Sequence, residues 1–234
     1  MPKLEIGGIL KNEAITSTVT RISLFVLLLV CATGSFASGV PDSLTHSDSL
    51  IVTKPEIVSN SKNWSKYCDD RKGMPITTIV LHASFDPKHP EDLTYRRLHK
   101  IWDRYHASAN FVIEPDGCII EMVPVTEAAR HALYSKPNHN PFSIGIELLH
   151  VWNGEGSERI PYSIRQLESC RTLVKWLRTQ FAITTVTSHR AISTNGKKDP
   201  NMTPDEWKIA ADNTTFPDPW PRTESSWEPD PKDR

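Results

Sequence analysis

Two short runs of β-branched and aliphatic residues each stop on a histidine, and this pairing limits what the chain can fold into. Ile76-Thr77-Thr78-Ile79-Val80-Leu81 leads into His82, and Ile183-Thr184-Thr185-Val186-Thr187 leads through Ser188 into His189. Runs of this length and composition predict buried strands. An α/β sheet builds its site at the carboxyl ends of its strands, so the fold has to bring these two ends together. Asp199 follows ten residues after His189, across an Asn195-Gly196 turn. Two imidazoles and one carboxylate are a competent zinc donor set, with a fourth position left for water. Any one of the nine His taken alone reads as a satisfied or solvated side chain. The expectation rests on the set of three.

The segments between these runs alternate strand and helix. Asn110-Phe111-Val112-Ile113 and Cys118 to Val123 flank Asp116-Gly117, a hairpin signal. Ser143 to Leu149 predicts another strand, and Gly145 within it marks a close backbone approach. A helix is expected over about 91–105, with Leu98, Ile101, Trp102 and Tyr105 as its apolar stripe. Ser163-Ile164-Arg165-Gln166 has the form of a capping box opening a helix to about Phe181. Thr203-Pro204-Asp205-Glu206 repeats the device and opens a last helix to about Asp212. Mixed strands and helices with one hairpin predict an α/β sandwich around a mixed sheet.

The flanks have a different character. Ile22 to Ala32 is a short apolar core after Arg21, followed by small residues through Gly39, and 1–39 reads as an export signal. Ser35-x-Ala37 or Ala37-x-Gly39 would serve for cleavage. Leu28-Leu29-Val30-Cys31 is similar to a bacterial lipoprotein box, which would attach the chain to a membrane through lipid on Cys31, although Val30 departs from the usual small residue. The expected location is therefore outside the cytoplasm: periplasm, outer membrane, or secreted. Residues 40–63 read as a linker or arm, 64–212 as the folded domain, and 213–234 as a Pro-rich acidic tail. Cys68, Cys118 and Cys170 permit one disulfide and one thiol, or three small buried side chains. A net charge of −1 gives no basic face for nucleic acid. A monomer is expected.

Several short pieces, in order, resemble one family. They are Ile79-Val80-Leu81-His82, Ser108-Ala109-Asn110-Phe111-Val112-Ile113, Asp116-Gly117, Ala129-Arg130-His131-Ala132, Ser143-Ile144-Gly145-Ile146-Glu147-Leu148, Thr187-Ser188-His189 and Gly196-Lys197-Lys198-Asp199-Pro200. Over about Met74 to Ala211 the chain resembles the zinc-dependent N-acetylmuramoyl-L-alanine amidases, which share a fold with the T7-type lysozyme amidase and the peptidoglycan-recognition proteins. The resemblance implies a single α/β domain, a central mixed β-sheet with helices packed on both sides. It implies Zn²⁺ on His82, His189 and Asp199, and peptidoglycan or a muropeptide as substrate.

Further roles come with the resemblance. Alternation along Ser143 to Glu147 sets Glu147 opposite Ile146; alone it reads as an exposed strand-end Glu, and the family makes it the acid/base residue. Lys197, by itself a solvated loop Lys, becomes the cation near the developing oxyanion, with Lys198 as a competitor at the next position. His131 is implied to contact substrate or to support the metal site from behind, and Asn110 to face the substrate groove. His106 and His150 are expected to be structural or exposed. The alternative is a peptidoglycan-binding module without catalysis, and the intact set His82, His189, Asp199 and Glu147 argues for the enzyme. A zinc peptidase of unrelated fold lacks the His-Glu-x-x-His helix it would need.

Overall fold

The computed structural model describes residues 52–60, 67–151 and 160–213. The export stretch with Cys31, most of the arm and the tail beyond residue 213 lie outside them. The described residues share one compact unit. Their strands are β1 (Val58–Ser59), β2 (Cys68–Asp70), β3 (Thr78–Ser84), β4 (Phe111–Ile113), β5 (Ile119–Glu121), β6 (Glu127–Ala129), β7 (Ser143–Leu149) and β8 (Thr185–Ser188). Helices α1 (Tyr95–Tyr105), α2 (Ile164–Gln180), α3 (His189–Ile192) and α4 (Pro204–Ala210) lie between and after them.

The main sheet runs β1-β5-β4-β7-β3-β8, and β2 pairs with β6 in a small second sheet. The main sheet is mixed: β4 and β5 form the antiparallel hairpin around Asp116-Gly117, and its other neighbours are parallel. Period-two alternation sorts the side chains onto two faces. Ile79, Leu81, Phe111, Ile113, Ile144, Ile146 and Leu148 pack with Leu167, Leu173, Leu177 and Trp207 of α2 and α4. Val112 and Ile120 point the other way, with Leu98 and Trp102 of α1. Helices thus cover both sides of a central mixed sheet, as the resemblance implies. Ile79, Val80 and Leu81 are wholly buried, each side chain contributing about 1.5–3 kcal/mol.

Some local expectations are corrected. Ser163 precedes α2 but makes no side-chain cap. Gln166, the other half of the expected capping box, is buried and donates instead to the carbonyls of Ile113 (2.7 Å) and Leu149 (2.9 Å). Two buried hydrogen bonds to sheet carbonyls outweigh one to a solvated amide at a helix start. At α4 the box forms in full, Thr203 with Glu206. Helix α1 starts only at Tyr95, and Tyr105 is half exposed at the end of its stripe. Val58–Ser59, within the expected arm, joins the sheet by pairing with β5. Cys68, Cys118 and Cys170 are free thiols. Burial pushes the Cys170 thiol up to about 12, the state of an unreactive packed side chain.

Candidate active site

Strand register places the first two groups. His82 on β3 and Glu147 on β7 are direct partners in the parallel ladder, on the face opposite the Ile79–Leu81 side. His82 Nδ1 lies 3.9 Å from Glu147 Oε2, and both residues are almost fully buried. Strand β8 pairs with β3 on its other side and ends where Ser188 caps α3 by accepting from Ala191 N. This cap turns the chain so that His189, the first residue of α3, enters the site. The returning loop is pinned by the Arg190 amide donating to the Asp199 carbonyl at 2.9 Å.

His82, His189 and Asp199 converge, with donor atoms within 4.8 Å of one another. Asp199 Oδ2 is 3.1 Å from His189 Nδ1 and 3.5 Å from His82 Nδ1. His189 Nε2 lies 3.3 Å from the Leu133 carbonyl, which only accepts, so Nε2 carries a proton; Nδ1, which donates to Asp199 Oδ2 at 3.1 Å, is the atom that would give up its proton to a cation. Two imidazole nitrogens and a carboxylate oxygen converging in a largely buried recess fit a divalent transition metal, with zinc as the natural match.

The electrostatics agree with that fit. Burial, then the His189 charge, pushes His82 down to about 4, despite the pull of Asp199. Burial also lowers His189, but the Asp199 charge and hydrogen bonds to Asp199 and Leu133 outweigh it and leave the ring raised. Burial would raise Asp199; His189 and His82 instead hold it well below the usual carboxylate range. Burial and the Asp199 charge push Glu147 up to about 8, against the hydrogen bond from Ser84 and the charges of His189 and Lys197. The Ser84 hydroxyl donates to Glu147 Oε1, which leaves Oε2 toward His82. Lys197 is exposed on the loop, and its positive charge is felt at both His82 and Glu147.

Asn110 is placed away from the expected groove, and His131 takes the second of its two expected positions. Asn110 has no exposure. Its Nδ2 donates to the carbonyls of Val123 (3.2 Å), Pro124 (3.3 Å) and Glu127 (3.2 Å), and its Oδ1 accepts from Gly145 N at 3.1 Å. Its amide is fully used in joining β4, β7 and the turn before β6, so it does not face a substrate. His131 is buried behind His82, with Nδ1 at 2.9 Å from His82 Nε2 and Nε2 at 3.0 Å from Ser143 Oγ. It supports the site from behind. Burial and neighbouring positive groups, Arg71 among them, hold it well below its ordinary pKa. The close approach expected at Gly145 is this ring: a Cβ there would sit 2.4 Å from His131 Cγ. His150 stacks on Tyr162, away from these groups, and His106 stacks on Tyr67.

Sequence reasoning missed Ser84, Ser143 and the Leu133 carbonyl. Ser84 had a signal, since it follows His82 by two residues and so shares its face. Ser143 had the same signal, since it shares its face of β7 with Glu147; the Leu133 carbonyl depends on a turn that no motif announces.

Comparison with known proteins bears on the same region. The endolysin N-acetylmuramoyl-L-alanine amidase LysCS of Clostridium intestinale superposes with a TM-score of 0.54 at 21% identity, over 69% of this chain and 98% of that one. Amidase LysC of the same organism gives 0.53 at 21%, over 68% and 99%. A selenomethionine derivative of AmpD gives 0.50 at 23%, over 68% and 96%. These likenesses bear on the fold. A search of curated protein sequences finds no match. Residues 72–202, more than half of the 234, match the family model described as N-acetylmuramoyl-L-alanine amidase, and the chain belongs to that family.

Proposed function

We propose that this chain is a zinc-dependent amidase that cleaves the amide between N-acetylmuramic acid and the L-alanine of a peptidoglycan stem peptide. The observation that carries the reading is the convergence of His82, His189 and Asp199 next to a buried carboxyl, Glu147. Family membership supplies the substrate class.

An amide is a poor electrophile and water a poor nucleophile. When bound, zinc polarises the carbonyl and makes a neighbouring water more acidic. The rest falls to the chain. His82 and His189 present Nδ1, and Asp199 presents Oδ2, to hold the ion. Glu147 takes the water's proton on Oε2, since Oε1 is held by Ser84, and returns it to the leaving nitrogen. Beside a divalent cation its carboxylate form is favoured, which keeps it competent as the base. Lys197 puts positive charge where the carbonyl oxygen becomes negative.

The test is a digest of purified muropeptides read by mass spectrometry. The protein should carry about one zinc per chain, release free stem peptide, and stop when zinc is chelated. A protein that retains muropeptide but releases nothing is a recognition module. Export, with or without lipid on Cys31, is part of the same proposal. The apolar stretch after Arg21 supports it, and the mass of the mature amino terminus decides between the soluble and lipid-bearing forms.

A further inference from the structure

The proton order behind His82 can be deduced from one contact. Ser143 Oγ lies 2.6 Å from the His139 carbonyl oxygen. A backbone carbonyl has no proton to give, so the hydroxyl proton points there. With that proton committed, Oγ can only accept from His131 Nε2 at 3.0 Å. His131 therefore carries its proton on Nε2, and its Nδ1 is bare. That bare Nδ1, 2.9 Å from His82 Nε2, must accept, so His82 donates from Nε2. His82 is left with a bare Nδ1, the atom 3.5 Å from Asp199 Oδ2. Reversing every bond would make Ser143 donate to His131. Two oxygens would then face each other at 2.6 Å with no proton between them.

We propose that Ser143 is a positioning residue of the metal centre: anchored on the His139 carbonyl, it sets the tautomer of His131 and thereby leaves His82 Nδ1 free to bind a divalent cation. The proposal rests on the metal reading given above. A ligating imidazole whose other nitrogen donates to a fixed partner is oriented and made more basic. Here the partner is a second imidazole, itself fixed by a serine.

The surroundings keep the relay in one arrangement. Ser143 has no exposure, and His82 and His131 are 2% and 7% exposed, so water has little access to reassign the protons. Gly145 leaves room for the His131 ring and only for that. Arg71 donates to the carbonyls of Asn140, Pro141 and Ser143, at 3.2, 3.0 and 2.9 Å, and so holds the turn that carries the terminal acceptor.

The experiment begins with metal-free protein, ¹⁵N-labelled at histidine, and multiple-bond ¹H–¹⁵N NMR at neutral pH. His82 and His131 should both report the Nε2–H tautomer. Zinc affinity is then measured by chelator competition for the parent, Ser143→Ala and Ser143→Thr. Ser143→Ala should mix the His82 tautomers and weaken zinc binding about 10- to 100-fold, while Ser143→Thr, which keeps a hydroxyl, stays near the parent. If the threonine methyl does not fit and that variant unfolds, the tautomers of the parent and Ser143→Ala decide alone. A parent His82 protonated on Nδ1, or a Ser143→Ala with unchanged tautomers and affinity, overturns the proposal. Parent protein with the expected tautomers that takes up no zinc upholds the proton order and sinks the metal reading instead.

Discussion

The site has two halves built in different ways. His82 and Glu147 stand on β3 and β7, partners in the middle of the main sheet, and their separation is fixed by backbone register. His189, Lys197 and Asp199 stand on the short α3 and the loop after it, next to the edge strand β8. That half is held by individual hydrogen bonds: the Ser188 cap, Arg190 to the Asp199 carbonyl, His189 to Leu133. The burial differs in part, since His189 of the loop half is also buried, 6% exposed. Glu147 and His82 are 4% and 2% exposed, whereas Lys197 is open to solvent. Under the proposed function the sheet half is the dry position for proton transfer, and the loop half brings the solvent-exposed charge of Lys197.

The largest effect should come from the sheet half. Glu147→Gln keeps the shape and the Ser84 contact but cannot take a proton. It should lower kcat about a hundred- to ten-thousand-fold with zinc content unchanged, measured by muropeptide turnover and metal analysis. Full activity in Glu147→Gln would move the base elsewhere. Next comes the loop half. Lys197→Ala should cost about a hundredfold in kcat with the melting temperature intact, because the side chain is exposed. Lys198→Ala beside it should do little; if the two exchange effects, the competing assignment at that position was the right one.

A third substitution separates structure from substrate contact. Asn110→Ala leaves the Gly145 amide and the carbonyls of Val123, Pro124 and Glu127 short of a buried partner. Stability should fall by about 1–3 kcal/mol, read from the urea midpoint, with KM unchanged. A raised KM at parental stability would return Asn110 to the groove.

The same division explains what was legible in the sequence. Strands β3, β7 and the β4–β5 hairpin follow from composition and alternation, and β7 spans the very residues expected, Ser143–Leu149. The side of the sheet that Glu147 occupies follows from its parity with Ile146. Alternation does not say which strands are neighbours, so the pairing of His82 with Glu147 needed the family resemblance or the coordinates. The loop half was legible only as residue types at a spacing. Its hydrogen bonds run to carbonyls such as Leu133, and every residue has a carbonyl, so no side-chain identity announces them. Asn110 and the choice between the two roles open to His131 were not legible for a related reason: a polar side chain near a site can face the substrate or brace the strands behind it. The choice depends on which buried backbone groups lack partners. Gln166 was decided in the same way, when two sheet carbonyls took the side chain expected at a helix cap.

The smallest predicted effect tests where the sheet half ends. The loop leaving β3 is pinned by charge, like the other half: Asp86 Oδ2 accepts from Arg97 Nε at 2.6 Å and Oδ1 from the Lys88 amide at 3.0 Å. Burial works to raise Asp86, but those hydrogen bonds and the charges of Arg97 and Lys88 outweigh it, so its pKa falls below the ordinary 3.8. The folded state therefore binds fewer protons than the unfolded chain in the acid range. The stabilisation is fully present above the unfolded pKa and is lost as pH falls through the lower, folded one. Asp86→Asn should lose on the order of 1 kcal/mol at neutral pH, and the gap to the parent should close as pH drops below about 4. A gap that stays constant with pH would mean that Asp86 acts through packing and neutral hydrogen bonds. The loop would then belong with the register-held half of the site, and the boundary between the two halves would move outward to α1.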